Sequence, residues 1–353
     1  MNKIRVGVLF GGKSEEHEIS LQSAKNIVAA LDPERYEIVL IGISKKGTWH
    51  SLSIEKFQAL FPSSKNKTLP SISSPVESIP MNTLDFGSEK IDVIFPVLHG
   101  TYGEDGTIQG LLEVLDIPYV GAGVLGSAIG MDKDVAKRLL RDAGLPIAKF
   151  EVFTLSQKDS IMFEELESSL GLPFFIKPAN SGSSIGVSKV SHKKQFGQAL
   201  SDAFKIDKKI LIEEYVPGRE LECSVLGNYF LVASAVGEII VKSDFYSYEA
   251  KYIDSKSTEL SIPAKISEEL EKKIQDLSIQ ACEVLSIQGM ARVDFFLSRS
   301  NILYINEINT IPGFTNSSMY PKLWEESGLS QEELVERLIE LALERNAEKV
   351  HIK

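Results

Sequence analysis

The stretch Arg292-Val293-Asp294 lies within the apolar run Met290 to Leu297. A second apolar run, Ile302 to Ile308, ends in the stretch Glu307-Ile308-Asn309. Both runs predict β-strands, and the short polar segment 298–301 between them predicts a hairpin turn. Side chains two positions apart point to the same face of a strand, so each strand presents a pair of polar groups. The hairpin would bring the two pairs together.

The predicted cluster combines a guanidinium, two carboxylates and an amide. Carboxylate and amide oxygens are the ligands that Mg²⁺ prefers, particularly when phosphate supplies further oxygens. An ion pair on a solvated sheet face is the more common arrangement for such residues. The turn Pro312-Gly313, which follows the second strand, favours a site because it would place backbone N–H groups beside the proposed metal.

The composition limits the classes of protein to consider. The chain has 353 residues, 43% of them hydrophobic, which suffices for a large core divided among two or three domains. The formal net charge of −11 argues against nucleic acid or an anionic membrane as a partner, since both require basic patches. Two cysteines, Cys223 and Cys282, suit a reducing cytoplasm rather than a disulfide framework. Without a signal-peptide pattern or a membrane-spanning apolar run, we expect a cytoplasmic protein.

Alternating strand and helix patterns predict an α/β fold that begins with a parallel, doubly wound sheet. The predicted strands of this first region are 4–10, 36–43 and 91–98, and its helices are 20–31, with Ser20 as N-cap, and 107–115. The segment 62–90, rich in Ser, Pro and Asn, predicts a long surface excursion. A run of small residues at 121–130 indicates a domain boundary.

Two further regions follow. The second has a helix at 134–143 and strands at 174–178 and 187–190. The third has strands at 210–215, 220–226 and 230–236, a helix at 267–285, the two strands of the hairpin, and a closing helix at 331–345. The polar segment 246–259 has no clear period and predicts a loop that closes over substrate and excludes water.

The segment Gly7 to Ser14 matches the P-loop pattern G-x-x-x-x-G-K-S. Three features argue against a phosphate loop here. Residues 8–10 are bulky and apolar, as in a strand, and the glutamates among residues 15–18 place negative charge where phosphate would lie. No strand ending in a Walker-B aspartate follows, since 91–95 continues into Pro-Val-Leu-His-Gly. The acidic start of this helix is better suited to a cationic group such as an amine.

A better phosphate loop lies at Ser181 to Gly186, between the strands 174–178 and 187–190. Its glycines would let backbone N–H groups approach phosphate oxygens closely, and Lys177 at the strand end adds a positive charge. A glycine-serine loop alone is more often an ordinary mobile hairpin. Its combination with Lys177-Pro178 and the acidic hairpin favours a functional loop.

These features together resemble the ATP-grasp ligases, on the following residues: Lys177-Pro178 with the glycine-serine loop, Arg292-x-Asp294 and Glu307-x-Asn309-Thr310-x-Pro312-Gly313. Within that superfamily, other segments are similar to the D-alanine–D-alanine ligases: Gly11-Gly12-x-Ser14-x-Glu16-His17-Glu18-Ile19-Ser20, His99-Gly100, Gly103-Glu104-Asp105-Gly106-Thr107 and Tyr248-Glu249-Ala250-Lys251-Tyr252. The similarity extends from about Val6 to Trp324.

The resemblance implies a three-domain ATP-grasp architecture. It consists of an N-terminal substrate-binding domain at 1–124, a central lobe with the glycine-serine loop at 125–212, and a C-terminal lobe with the metal site at 213–353. The implied reaction joins two D-alanine molecules through a D-alanyl phosphate, with release of ADP and phosphate, for peptidoglycan precursors. The implied cofactors are two Mg²⁺ ions, for which Mn²⁺ can substitute, and the implied assembly is a homodimer.

The resemblance also implies roles for individual residues. Those that would contact ATP are Lys133, Lys177, Ser184, Glu213, Tyr215, Val216, Glu220 and, on loop closure, Lys251. Those that would bind the metal are Asp294, Glu307 and Asn309. Arg292 and the Gly313 N–H would stabilise the tetrahedral intermediate. Those that would bind or orient the two D-alanines are Glu16 with His99, Ser183 with Tyr252, and Ser318 with Met319.

Several of these residues have simpler interpretations. His99 could be a hydrogen-bonded structural histidine, Tyr252 could be plain packing, and Glu213 and Glu220 could be solvated strand charges. The sequence around Tyr252 favours dipeptide formation over D-alanyl-D-lactate. Two other functions stay open: a related ligase for a different amino acid, and a P-loop ATPase or switch.

Overall fold

The computed structural model describes residues 3–61, 91–241 and 258–352. The expected surface segment 62–90 lies outside these ranges. So do residues 246–257 of the expected closing loop, which include Lys251 and Tyr252. The described chain forms three β-sheets with helices packed against them.

The N-terminal sheet has the strand order β3-β2-β1-β4. Its strands are β1 (Ile4–Gly11), β2 (Tyr36–Ile43), β3 (Trp49–Leu52) and β4 (Val93–Val97), and its helices are α1 (His17–Ala30), α2 (Ile54–Ala59) and α3 (Thr107–Val114). Strand β1 is parallel to β2 and β4, which confirms the predicted parallel sheet. The antiparallel edge strand β3 was not predicted.

The prediction that Ser20 caps the first helix is wrong. Helix α1 begins three residues earlier, at His17, after Glu16 as the N-cap residue. The buried Ser20 hydroxyl donates to the Val97 carbonyl and accepts the Gly11 N–H at 2.7 Å. Because it joins β1 to β4, this hydroxyl fixes the position of the helix start relative to the sheet.

The run of small residues at 121–130 holds a helix rather than a linker. Helix α4 (Val124–Met131) is followed directly by α5 (Lys133–Asp142). The side chain of Asp132 caps α5 by accepting the N–H groups of Asp134 and Val135. The cap fixes the first turn of α5, which carries Lys133.

The central sheet has the order β5-β8-β6-β7. Its strands are β5 (Phe150–Thr154), β6 (Phe174–Pro178), β7 (Ser188–Val190) and β8 (Lys209–Glu214), and its helices are α6 (Phe163–Leu170) and α7 (Lys193–Ile206). Strand β8 pairs with both β5 and β6, so it belongs to this sheet and not to the third region. The expected limit between 212 and 213 therefore cuts through a strand, and we propose a limit after Glu214 instead.

The C-terminal sheet has the order β11-β10-β9-β12-β13. Its strands are β9 (Gly218–Gly227), β10 (Val232–Val241), β11 (Thr258–Ser261), β12 (Gly289–Ser298) and β13 (Leu303–Asn309), and its helices are α8 (Glu268–Val284), α9 (Met319–Glu326) and α10 (Gln331–Ile352). Strands β12 and β13 are antiparallel, so the predicted hairpin is confirmed.

One apolar core joins the two ends of the chain. Residues of the N-terminal sheet, such as Phe95, are buried together with Phe314, Tyr320 and Leu334 from the C-terminal end. The rings of Phe95 and Phe314 meet edge to face with centroids 6.1 Å apart. This packing holds the segment after β13 against the N-terminal sheet, where the acidic start of α1 lies.

Candidate active site

Two adjoining cavities lie where the three sheets meet. The larger, of about 390 Å³, lies between the central and C-terminal sheets. The smaller, of about 100 Å³, lies between the N-terminal residues and the end of the hairpin. Gly182 and Glu307 line both cavities. The geometry is that of two ligands bound side by side, with the glycine-serine loop and one carboxylate at their junction.

The hairpin presents Arg292, Glu307 and Asn309 to the cavities, whereas Asp294 lies behind them and reaches the site through its contacts with Arg292 and Asn309. Along β12, buried Val293 and Phe295 alternate with the partly exposed Arg292 and Asp294. Across the hairpin, Arg292 faces Asn309 and Asp294 faces Glu307. The register shifts after Asp294, because Asn306 is an extra residue on β13. This bulge places Asn306 and Glu307 together in the wall of the larger cavity.

Two carboxylates hold the guanidinium of Arg292. Its Nε and Nη2 donate to Asp294 at 2.7 and 2.8 Å, and Nε also lies 2.9 Å from Glu222 Oε2. Burial alone would lower the pKa of Arg292, but the charges of Asp294 and Glu222 outweigh burial and raise the pKa well above its usual range. The smaller cavity is therefore lined by a permanent positive charge.

The donor set of the hairpin fits a hard divalent cation. Asp294 and Glu307 supply carboxylates, and the Asn309 amide nitrogen donates to Asp294 at 2.9 Å, which leaves the amide oxygen as a ligand. In the part of the chain that the structure describes, no group of three or more His, Cys, Asp or Glu side chains is arranged to hold a metal by itself. Phosphate oxygens would have to complete the coordination, as is usual for Mg²⁺ at nucleotide sites.

The glycine-serine loop packs directly on the start of α1. The Ser183 hydroxyl donates to the Glu16 carboxylate, a contact expected from the sequence. A Cβ on Gly182 would lie 2.7 Å from Glu16 Oε2, so a side chain there would displace the Glu16 carboxylate. Ser183 lines the smaller cavity, whereas Ser184 lines the larger one. Both serines have positive φ, which gives the loop its tight curvature.

Lys133 ties this loop to the hairpin. Its ammonium donates to the Ser181 carbonyl at 2.7 Å and lies 3.2 Å from Glu307 Oε2. Three separate segments, helix α5, the loop and strand β13, therefore meet at one ammonium. An anionic ligand in the larger cavity would find this positive charge beside the Glu307 carboxylate.

The other end of the larger cavity contains the residues that the resemblance places near the nucleotide. Lys177 forms an ion pair with Glu213, and its ammonium lies 3.4 Å from Asn306 Oδ1. Tyr215 packs against Phe175, with ring centroids 5.8 Å apart. Val216 and Glu220 complete this part of the wall. Lys177 thus points toward Glu213, and its proposed role at the phosphates stays a prediction.

His99 is fully hydrogen-bonded in the wall of the smaller cavity. Its Nε2 lies 3.1 Å from the Ser23 hydroxyl and its Nδ1 lies 3.0 Å from the Ile311 carbonyl. Burial lowers the pKa of His99, so the imidazole is neutral at pH 7. Its two nitrogens connect α1 to the segment after β13. The predicted contact of His99 with a substrate ammonium stays a prediction.

Glu104 links the loop after β4 to the segment after β13. Its carboxylate accepts the N–H of Gly100 at 2.7 Å and the N–H of Ile311 at 3.1 Å. Burial, assisted by the negative charge of Glu16, raises the pKa of Glu104 to about 8. A carboxyl group that stays protonated at neutral pH therefore lies beside the carboxylate of Glu16 in the smaller cavity.

The turn after β13 forms the far wall of the smaller cavity. Gly313, Ser318 and Met319 all line it, as does the neighbouring Ser317. Ser318 directly precedes helix α9, and its hydroxyl accepts the Thr315 N–H at 2.9 Å. Gly313 and Ser318 are close, since a Cβ on Gly313 would lie 2.7 Å from Ser318 Oγ.

The P-loop match does not correspond to a phosphate site. Residues 8–10 are buried in β1 at the centre of the N-terminal sheet. Lys13 is exposed, and its ammonium lies over the Tyr102 ring, 5.5 Å from the centroid. Lys13 lines neither of the two cavities. The arguments made from the sequence against this motif are therefore supported.

Sequence reasoning missed four residues of the site. Glu222 shares one strand face with Glu220, a spacing of two that could have identified it. Glu104 lies in a quoted motif but was given no role. A single sequence carries no signal for the bulge that exposes Asn306. It also carries none for the buried Lys137, which is a partner of Glu213.

Two family models match most of the chain. A family model described as "D-ala D-ala ligase N-terminus" matches residues 5–122, and one described as "D-ala D-ala ligase C-terminus" matches residues 139–340. The chain is 53% identical to the D-alanine–D-alanine ligase of Oceanobacillus iheyensis, over 99% of this chain and 98% of the relative.

Two solved structures are similar over almost the whole chain. The D-alanine-D-alanine ligase of Coxiella burnetii superposes with a TM-score of 0.85 at 39% identity, over 99% of this chain and 98% of that one. The VanG D-Ala:D-Ser ligase of Enterococcus faecalis gives a TM-score of 0.82 at 37% identity, over 97% and 100% of the two chains.

Proposed function

The chain belongs to the D-alanine–D-alanine ligase family, and we propose that its two cavities bind ATP and two D-alanine molecules side by side. It is an ATP-dependent ligase that makes D-alanyl-D-alanine for cell-wall synthesis. The observation that carries the proposal is that Glu307 and Gly182 line both cavities. A phosphoryl group transferred from one ligand to the other would pass beside these residues.

The first step is phosphoryl transfer. A carboxylate oxygen of the first D-alanine attacks the γ-phosphorus of ATP, and the bond to the β-phosphate oxygen breaks, which gives D-alanyl phosphate and ADP. Glu16, at the start of α1, binds the substrate ammonium. Lys133 faces the phosphates from the larger cavity, because its ammonium already lies between the loop carbonyl and Glu307.

The second step is acyl transfer. The amine of the second D-alanine attacks the acyl carbon, and phosphate leaves after the tetrahedral intermediate collapses. Arg292 and the Gly313 N–H stabilise the negative oxygen of that intermediate, and each such donor is typically worth about 3 kcal/mol. Ser183 orients the second D-alanine, and Ser318 with Met319 holds its carboxylate. Tyr252 and Lys251, outside the described residues, would act from the closing loop.

Asp294, Glu307 and Asn309 would hold Mg²⁺, or Mn²⁺ in its place, and two such ions would neutralise phosphate charge during transfer. The larger cavity also contains Ser184, Tyr215, Val216 and Glu220 for the remainder of the nucleotide. Lys177 and Glu213 lie at the same end of the cavity. These assignments are supported by the shared walls of the cavity.

We also propose a cytoplasmic homodimer. Among residues 3–61, 91–241 and 258–352 there is no helix with the length and apolar character of a membrane span.

Apolar side chains are exposed on the adjoining helices α3 and α4, where Val114 is 85% and Leu125 is 61% exposed. A second copy packed there would cover them. Light scattering should show a dimer for the wild type and a monomer for V114E/L125E.

The ligase assignment is tested by turnover. Purified protein with ATP, Mg²⁺ and D-alanine should release ADP and produce a dipeptide with the mass of D-alanyl-D-alanine. L-Alanine, D-lactate and D-serine, each paired with D-alanine, test the second position. Equal or better rates with one of these would assign the chain to a different ligase within the family.

A further inference from the structure

A fully buried lysine lies behind the larger cavity without lining it. Lys137 is 2% exposed, and its ammonium nitrogen lies 2.5 Å from Glu213 Oε1. Glu213 is also 2% exposed and lines the cavity, where its other oxygen contacts the Lys177 ammonium. One carboxylate is thus shared by two lysines, of which only Lys177 reaches the cavity wall.

The position of Lys137 on helix α5 places it in a row with Lys133. The two are four residues apart, so they lie on the same side of the helix. Lys133 contacts Glu307 from the C-terminal sheet, whereas Lys137 contacts Glu213 from the central sheet. Helix α5 therefore supplies one positive charge to each of the two sheets that enclose the nucleotide.

The charges of the two lysines and the carboxylate that they share do not cancel. Lys137, Lys177 and Glu213 together carry a net charge of +1 when all are ionised. Burial opposes ionisation of both Glu213 and Lys137, and it lowers the pKa of Lys137. At Glu213 the charges of Lys137 and Lys177 outweigh burial and lower the pKa, and the direct 2.5 Å contact between Lys137 and Glu213 favours the ionised form of the pair. Without Lys137, Lys177 and Glu213 would form a neutral pair, and of the lysines described at the larger cavity only Lys133 would still offer an unbalanced positive charge to an anionic ligand.

We propose that Lys137 is a positioning residue for the nucleotide, whose buried ammonium balances the charge of Glu213 so that the Lys177 ammonium stays electrostatically available to ATP. The proposal rests on the proposed function, since it takes the ligand of the larger cavity to be ATP. It concerns nucleotide binding only. The smaller cavity and its contacts with D-alanine are left unchanged.

The test replaces Lys137 with methionine, which keeps the length of the side chain and removes its charge. K137M should raise KM for ATP about tenfold, the effect of losing roughly one charged contact. KM for D-alanine and kcat should stay within about twofold of the wild type. Calorimetry with ADP, without D-alanine, should show a matching loss of affinity, and this measurement does not depend on ligase turnover.

Two further variants separate charge from structure. K137R keeps the charge and should leave KM for ATP within about threefold of the wild type. K209M is the matched control, because Lys209 contacts Asp132 and Asp134 at the start of the same helix but does not line the cavity. K209M should lower the melting temperature without changing KM for ATP.

A double-mutant cycle with E213Q tests whether Lys137 acts through Glu213. In the E213Q background, K137M should cause no further rise in KM for ATP, because the charge that Lys137 balances is gone. The double variant should also melt at a higher temperature than E213Q alone. In E213Q the Lys137 ammonium is buried without the carboxylate that pairs with it, and the double variant removes that unpaired charge. The melting comparison tests the charge pairing of Lys137 with Glu213 even if K137M alone does not fold.

Three results would overturn the proposal. They are an unchanged ADP affinity in K137M, an equal rise in the KM values for ATP and D-alanine, or a tenfold effect of K137M that persists in E213Q. If the wild type binds ADP but makes no dipeptide, the proposed function fails while the role of Lys137 is still decided by calorimetry.

Discussion

The Lys133 ammonium lies 3.2 Å from the Glu307 carboxylate while it donates to the Ser181 carbonyl at 2.7 Å. Lys133 belongs to α5, Ser181 to the glycine-serine loop and Glu307 to the acidic hairpin. One ammonium thus sets the distance between the loop and strand β13. The ligase mechanism depends on that distance, because the transferred phosphoryl group has to fit between them.

Replacement of Glu307 by glutamine should lower kcat about 100-fold or more, since it removes the charge of a carboxylate that lines both cavities and that we propose as a metal ligand. Initial rates of ADP release measure the loss. Mn²⁺ binding followed by electron paramagnetic resonance in the presence of ADP should weaken in parallel. E340Q is the control, because Glu340 pairs with Arg337 on the exposed side of α10 and should behave as wild type. Full activity in E307Q would remove Glu307 from the metal site.

Lysines 13 and 177 distinguish the ligase from a P-loop protein. K177A should raise KM for ATP about tenfold or more, because Lys177 lines the larger cavity beside Glu213. K13A should change the KM for ATP by less than about twofold, since Lys13 is exposed, lies beside Tyr102 and Gly47, and lines neither cavity. Nucleotide binding by equilibrium dialysis makes the same comparison. The opposite order would restore the P-loop interpretation.

Replacement of Glu222 by glutamine should lower kcat about tenfold and leave KM for ATP unchanged. Glu222 is one of two carboxylates that hold Arg292, so its loss lets the guanidinium move away from the position required in the second step. Steady-state kinetics with each substrate varied in turn measure the change. E336Q removes a carboxylate from the surface pair with Arg35 and serves as the control. A rise in KM for ATP alone would contradict this role.

Glu104 should produce a pH dependence near 8. Burial and the charge of Glu16 raise the pKa of Glu104 from 4.5 to about 8, so the group is neutral at pH 7 and ionises above pH 8. A second negative charge beside Glu16 would then disfavour the D-alanine carboxylate. The wild type should lose kcat/KM for D-alanine as the pH rises through 8, and E104Q, which cannot ionise, should lose less.

The same shift affects stability. Between pH 4.5 and 8 the folded protein keeps a proton that the unfolded chain has released, so the contribution of Glu104 to stability falls as the pH rises through this range. The melting temperature of the wild type relative to E104Q should therefore decrease from pH 5 to pH 8 and level off above it. A constant difference would show that folding does not raise the pKa of Glu104.

Strong periodic patterns in the sequence predicted the hairpin and its facing residues. Apolar and polar residues alternate cleanly along 290–297, and a one-residue slip would have buried Arg292 and Asp294. The parallel order of the first strands followed from the alternation of strands and helices. The bulge at Asn306 could not be predicted, because it depends on how β13 pairs with β12.

The errors have local physical causes. Ser20 is a good N-cap by type, yet its hydroxyl is used to join β1 to β4, and the helix begins before it. The run of small residues at 121–130 suggested a domain boundary, but its helix α4 was not predicted; Gly126 and Gly130 let that helix pack closely against neighbouring backbone and side chains. Strand β8 was placed in the wrong region, since strand patterns do not show which sheet a strand joins.

The most direct test of the central claim is ADP release coupled to mass spectrometry of the product, measured for the wild type with ATP and Mg²⁺, with and without D-alanine. The account predicts that ADP release requires D-alanine and that one D-alanyl-D-alanine forms for each ADP. ADP release at the same rate without D-alanine, or in its presence with no dipeptide formed, would contradict it.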